Sequence, residues 1–317
     1  MANFNDLKSA IDIGIKSAST ILERRARARA KRAQALAAHP AKLALGIMPA
    51  AAIAGPAVAR ETAGFLVAMG DSWFDYPFYD VLKLLEDNYG YDVESAAHRG
   101  DPIESMAYTG GQLDKLARCF EKVTDRGATP KAVLVSGGGD DIAGTEFGML
   151  LNSAASPISG WNGEIVDGVI NNRIPKAYVA AVTSINQLSL QYAHGNLLPI
   201  LVHGYDYPVP DGRGVLGGWG PLPGPWLKPG FQEKLFTDLA TNAGMMHDII
   251  DKFNAMLKEF PAQANFPNVH YVDLRGTLSE NLVGDAYKDW WGNELHPTEK
   301  GFTAVTDRFA QALGALP

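Results

Sequence analysis

The sequence predicts an α/β domain in which helices cover both faces of a parallel sheet, and two observations carry this reading. From Gly64 to the C-terminus, short apolar runs rich in β-branched residues alternate with longer stretches of helical periodicity, the pattern of successive βαβ units. Each apolar run is followed by glycine or polar residues, as expected where a buried parallel strand ends. The 317 residues, 46% of them hydrophobic, can bury a large core, and no internal repeat divides them.

Strands are expected at 65–69, 91–97, 132–136, 197–204 and 269–273, and helices at 78–88, 111–124, 175–193, 232–260 and 298–313. Pro175 and Thr298 serve as helix start signals. Five parallel strands between helical layers fit a three-layer α/β/α sheet of the flavodoxin-like type. Two stretches fit no regular element. Residues 204–231 contain eight Gly and six Pro in 28 positions, so they form a long shaped loop leaving a strand at its carboxyl end. Residues 152–175 are expected to be irregular too, as an opposite wall.

Residues 1–60 read as a separate Ala-rich, basic helical arm, and 61–317 as the domain proper. The arm carries ten Lys and Arg against three Asp and Glu, a charge of +7, which leaves −14 on the rest of the chain. An acidic body of this kind excludes nucleic acid as a partner. The basic run ERRARARAKR (23–32) favours a helix that packs on the domain or mediates self-association. A surface contact is the alternative, and it requires a free apolar face. The apolar stretch 43–59 is broken by Pro49 and Pro56, so no transmembrane span is expected. The arm imitates a secretory signal imperfectly, which leaves a cytoplasmic location as the expectation and secretion as the alternative. One cysteine, Cys119, excludes an internal disulfide and a cysteine-based zinc site.

In open α/β sheets the ligand lies outside the carboxyl ends of the strands, so the residues just after each strand matter most. Those positions read GDSWFDYP (70–77), AHRGD (97–101) and GGGDDIAG (137–144), and NELHP (293–297) precedes the last helix. Together they resemble the four blocks of the SGNH hydrolases, the GDSL esterase and lipase superfamily. The resemblance spans about 250 residues and is sharp in the blocks. It implies an SGNH hydrolase fold and a carboxylic-ester hydrolase that forms an acyl-enzyme without a cofactor or metal. Ser72 matches the nucleophile and His296 the general base, because a serine hydroxyl needs an imidazole within reach to take its proton. Taken alone, Ser72 would read as a helix N-cap and His296 as a satisfied histidine before a proline.

The resemblance also implies an oxyanion hole formed by the Ser72 N–H, by Gly100 and by the residue at 140. That last residue is Asp140 where the family has Asn, and a carboxyl donates a hydrogen bond only when protonated. Beside the histidine the family's Asp is replaced by Asn293, followed by Glu294. The candidates to orient His296 are Asn293 or a backbone carbonyl first, then Glu294, then Asp289.

All six tryptophans fall in the blocks and loops. Some anchor their own loops, and others line an aromatic cleft. Asp71, Trp73, Tyr205, Trp219, Trp226 and Trp291 are the candidate substrate contacts, for a small-molecule or polymeric ester. Two other classes compete with the esterase. A metal-dependent phosphoesterase would draw ligands from Asp71, His98, Asp140, Asp141, His203, Asp206 and His296. A binding protein that kept the fold with weakened chemistry would explain Asp140 and Asn293 together.

Overall fold

The structure is a computed structural model and describes residues 7–38, 62–144, 146–217 and 222–316. Five parallel strands form the central sheet: β1 (Gly64–Met69), β2 (Tyr91–Ser95), β3 (Ala132–Val135), β4 (Ile200–His203) and β5 (Val269–Val272), in the order β2-β1-β3-β4-β5. Every strand begins within three residues of its expected start; β1 ends where expected and the other four end one or two residues early. β3 and β4 are buried at every position and the edge strands β2 and β5 are not, which is why the central runs are Val, Ile, Leu and Ala up to His203 at the end of β4.

Helices α2 (Val81–Tyr89) and α9 (Glu299–Gly314) pack together on one face. The other face carries α3 (Ile103–Tyr108), α4 (Gly111–Asp125), α6 (Ile174–Tyr192) and α8 (Leu239–Glu259). Phe260, one residue beyond α8, meets Tyr178 of α6 with ring centroids 6.3 Å apart. The result is the three-layer α/β/α fold that the sequence predicts. Two further helices are short: α5 (Gly163–Gly168) and α7 (Lys228–Glu233).

Local signals explain the departures. Residues 152–175 are more regular than expected, because the Asn162 side chain accepts from the Ile165 N–H and starts α5, which runs through a π turn into α6. The expected helix 232–260 is interrupted. Leu235 takes a left-handed backbone conformation (φ 66°), and Asp238 starts α8 afresh by accepting from the Thr241 N–H.

The arm contributes α1 (Lys8–Ala38), an outer layer on α6. Ala10, Gly14, Ala18 and Ile21 recur at helical spacing and are buried. Gly14 permits the approach, since a Cβ there would lie 2.5 Å from the Ala180 carbonyl oxygen, and the Ser184 hydroxyl donates to the Gly14 carbonyl at 2.9 Å. The basic run is partly neutralised: Arg24, Arg25 and Arg29 pair with Asp114, Glu121 and Asp125. The apolar stripe that a surface contact would need is therefore covered by α6. The stretch 43–59 lies outside the described residues. Among those described, no helix is long and apolar enough to cross a membrane.

Candidate active site

The site forms where β1, β2, β3 and β4 end, and hydrogen bonds between those ends set its shape. At the end of β1, Asp71 is buried and accepts from the Trp73 N–H at 3.0 Å and the Ser136 hydroxyl at 2.7 Å. Its other oxygen takes the Tyr205 hydroxyl, which in turn accepts from the Gly139 N–H at 3.2 Å. One carboxylate thus ties the nucleophile turn to the ends of β3 and β4. Burial beside Asp71 raises the Tyr205 pKa well above its usual value, so its hydroxyl stays a donor.

Ser72 follows in that turn and does not cap a helix; α2 is started by Asp80, which accepts from the Lys83 N–H at 2.8 Å. His296 Nε2 lies 2.7 Å from Ser72 Oγ. On the far side of the ring, His296 Nδ1 lies 3.0 Å from Asn293 Oδ1. The same oxygen accepts the backbone N–H of Leu295 at 3.0 Å and of His296 at 2.9 Å, while Asn293 Nδ2 donates to the Tyr76 hydroxyl at 3.1 Å. These donors require the amide oxygen to face the histidine. The proton is thereby fixed on Nδ1, and Nε2 is left as the acceptor for the serine hydroxyl. Tyr76 also stacks on the imidazole, centroids 4.4 Å apart. Burial pushes the His296 pKa down to about 3, so the ring is neutral and ready to accept a proton.

Glu294 does not orient the histidine. Its side chain is fully buried and points into the 204–231 loop, where one oxygen accepts from Gly212 and Lys228 and the other from Trp226 and Leu227, at 2.6 to 3.0 Å. Two donors on each oxygen leave no room for an acidic proton, so the group is a carboxylate that fastens the loop. Asp289 is related to this region only through its backbone carbonyl, which accepts from the Thr298 hydroxyl at 2.8 Å.

At the end of β3 the two aspartates divide. Asp141 accepts from the N–H groups of Ile103 and Glu104 and so starts α3. Asp140 lines the site with Ser72. Burial, then the nearby charges of Asp71, Asp141 and Asp101, raise its pKa to about 8. Gly100 takes the left-handed backbone conformation (φ 81°) at the end of the second block. Among the described residues, neither the Ser72 nor the Gly100 N–H donates to a protein acceptor.

Two spaces meet at Asp140. A small chamber beside Ser72 is walled by Trp73, Tyr205 and Trp291, and a larger groove runs past Gly100, Asp140 and Trp226. The Trp226 ring lies 5.5 Å from His296. Trp73 is buried and donates to the Leu295 carbonyl at 3.0 Å, so it also joins the nucleophile turn to the histidine loop. Trp219 lies outside the described residues. Tyr76, Ser136 and Gly139 are the working residues that motif reading left unassigned. Tyr76 and Gly139 stand inside quoted blocks, and that was the available signal.

The potential metal ligands do not converge. His203 is sealed under Trp73, Phe74 and Phe309, Asp206 spends its carboxylate on the N–H groups of Tyr207, Gly276 and Leu278, and His98 pairs with Asp101. Among the described residues, no three His, Cys, Asp or Glu side chains are placed to hold one ion.

Ser72, Gly100 and Asp140 follow β1, β2 and β3, and His296 precedes α9, in block order on a 2-1-3-4-5 sheet. This strand order and this placement of the blocks are those that the resemblance to the SGNH hydrolases implies. No protein-family model matches the chain, and no curated protein matches it in sequence. Solved structures similar to it include an acetylxylan esterase from Geobacillus stearothermophilus (16% identity, 80% of this chain and 96% of that one, TM-score 0.42). A GDSL-like lipase from Bacteroides thetaiotaomicron is 12% identical over 81% of this chain and 92% of its own, with a TM-score of 0.38. An α/β hydrolase from the metagenome of Lake Arreo, Spain, is 13% identical, covering 81% and 97%, with a TM-score of 0.41.

Proposed function

We propose that the protein is a serine carboxylic-ester hydrolase that works through an acyl-enzyme on Ser72. The observation that carries this is the 2.7 Å contact between Ser72 Oγ and the unprotonated nitrogen of a neutral, buried His296. As Ser72 Oγ bonds to the ester carbonyl carbon, its proton passes to His296 Nε2. The resulting imidazolium is stabilised by Asn293 Oδ1 at Nδ1 and by the oxyanion itself. Collapse of the tetrahedral intermediate breaks the bond to the alcohol oxygen, which takes the proton back from Nε2. Water then attacks the acyl-enzyme by the same route in reverse.

The oxyanion is assigned to the N–H groups of Ser72 and Gly100 and to the Asp140 carboxyl in its protonated form. One such donor contributes roughly 3 to 4 kcal/mol to the transition state. A carboxyl with a pKa near 8 is mostly protonated at neutral pH, so Asp140 can take the place of the family's amide. The dispersed His and Asp side chains disfavour the metal-dependent phosphoesterase. The binding-protein reading leaves the aligned Ser72, His296 and Asn293 without a purpose.

A fluorophosphonate probe and a series of p-nitrophenyl esters test the proposal. The wild-type protein is expected to be labelled at Ser72, and Ser72→Ala to lose both label and turnover while remaining folded. An Ala variant that keeps most of the wild-type rate would remove Ser72 from the mechanism.

A further inference from the structure

The small chamber and the much larger groove differ in a way that bears on the two halves of an ester. The chamber starts at Ser72 and is walled by Trp73, Tyr205, Leu227, Met246, Ile250 and Trp291, all of them buried. Of its carboxyl neighbours, Asp71 holds Trp73, Ser136 and Tyr205, Asp206 holds three backbone N–H groups, and Asp140 stands at the boundary with the groove. What faces the space is therefore chiefly hydrocarbon and aromatic ring. The groove holds Gly100, Asp140 and Trp226 and opens to solvent between the second and third strand ends and residues 144–173.

Proton transfer decides which half goes where. His296 must return its proton to the departing alcohol, so the alcohol lies on the side of the imidazole bordered by Trp226, and that ring belongs to the groove. The acyl group, bonded to Ser72, is left with the chamber. A cavity of about 50 Å³, at roughly 10 to 15 Å³ per water-sized group, takes about three or four such groups.

We propose, resting on the ester hydrolase reading above, that this chamber is the acyl-binding site and restricts the enzyme to uncharged short-chain acyl esters, of about two to five carbons, with the alcohol accommodated in the groove. Met246 and Ile250 stand one turn apart on α8 and supply one wall together. They are the specificity-determining residues. A longer chain has no space without displacing that wall, whereas a bulky alcohol meets no comparable limit.

The test is kcat/KM on p-nitrophenyl acetate, butyrate and octanoate, which share one leaving group, for the wild-type protein, Met246→Ala and Ile250→Ala. Wild type is expected to favour acetate or butyrate over octanoate by roughly a hundred-fold, and each variant to raise the octanoate-to-butyrate ratio by roughly ten-fold. The wild-type series needs no mutation, so it stands even where a variant fails to fold. Octanoate hydrolysed as well as butyrate by wild type, or an unchanged ratio in both variants with native circular dichroism, would overturn the acyl assignment while leaving the hydrolase reading intact. No turnover of any ester together with no fluorophosphonate label would overturn the hydrolase reading, and this inference with it.

Discussion

Two carboxyl groups have been drawn out of water, Glu294 in the histidine loop and Asp140 at the end of β3, and their surroundings give them opposite chemistry. Burial lifts the pKa of both. In Glu294 four backbone N–H groups oppose the lift and occupy both oxygens. Every other influence on Asp140 is a neighbouring negative charge and adds to the lift. One group is therefore an anion that organises a loop, and the other a neutral acid able to donate. Residue type alone distinguishes neither; the count of donors does.

The largest expected effect breaks the anion side. Glu294→Ala leaves four loop N–H groups without their acceptor, and the loss should be about 3 kcal/mol or more of folding stability, read as a lower denaturant midpoint. If Glu294 instead served His296, stability would hold while turnover and its pH dependence changed. A smaller effect sharpens the assignment of the neutral partner of the histidine. Tyr76→Phe removes the acceptor of Asn293 Nδ2, worth about 1 kcal/mol, so turnover should drop about five-fold. Unchanged turnover would mean that the two backbone N–H groups hold the amide without Tyr76.

Much of this was legible in the sequence, for physical reasons. The central strands β1, β3 and β4 are largely buried, so each appears as an apolar run closed by a polar block. Ser72, Gly100, Asp140 and His296 sit in those blocks because strand ends converge in this topology. What stayed hidden depends on contacts across the fold. Whether Asn293 presents oxygen or nitrogen to His296 is decided partly by Tyr76, 217 residues away in sequence. Glu294 reads as a catalytic candidate from its neighbours in the chain, yet its partners come from the Gly- and Pro-rich loop that it holds together. The chamber wall comes from Met246 and Ile250, two ordinary apolar positions of an amphipathic helix, which carry no motif at all.

The role of Asp140 as an oxyanion donor rests on its proton, and the pH dependence of kcat/KM from pH 6 to 10 for wild type and Asp140→Asn measures it. The folded-state pKa is raised, so the donor is present below about pH 8 and is lost as pH rises through that value. His296 stays neutral across this range, because its own pKa is pushed down to about 3. Wild type should therefore fall off above pH 8, to about one-tenth of its plateau by pH 9, while Asp140→Asn, whose amide keeps its donor, stays level and is about ten-fold faster there. Parallel profiles, or an Asn variant slower than wild type at every pH, would contradict a neutral, donating Asp140.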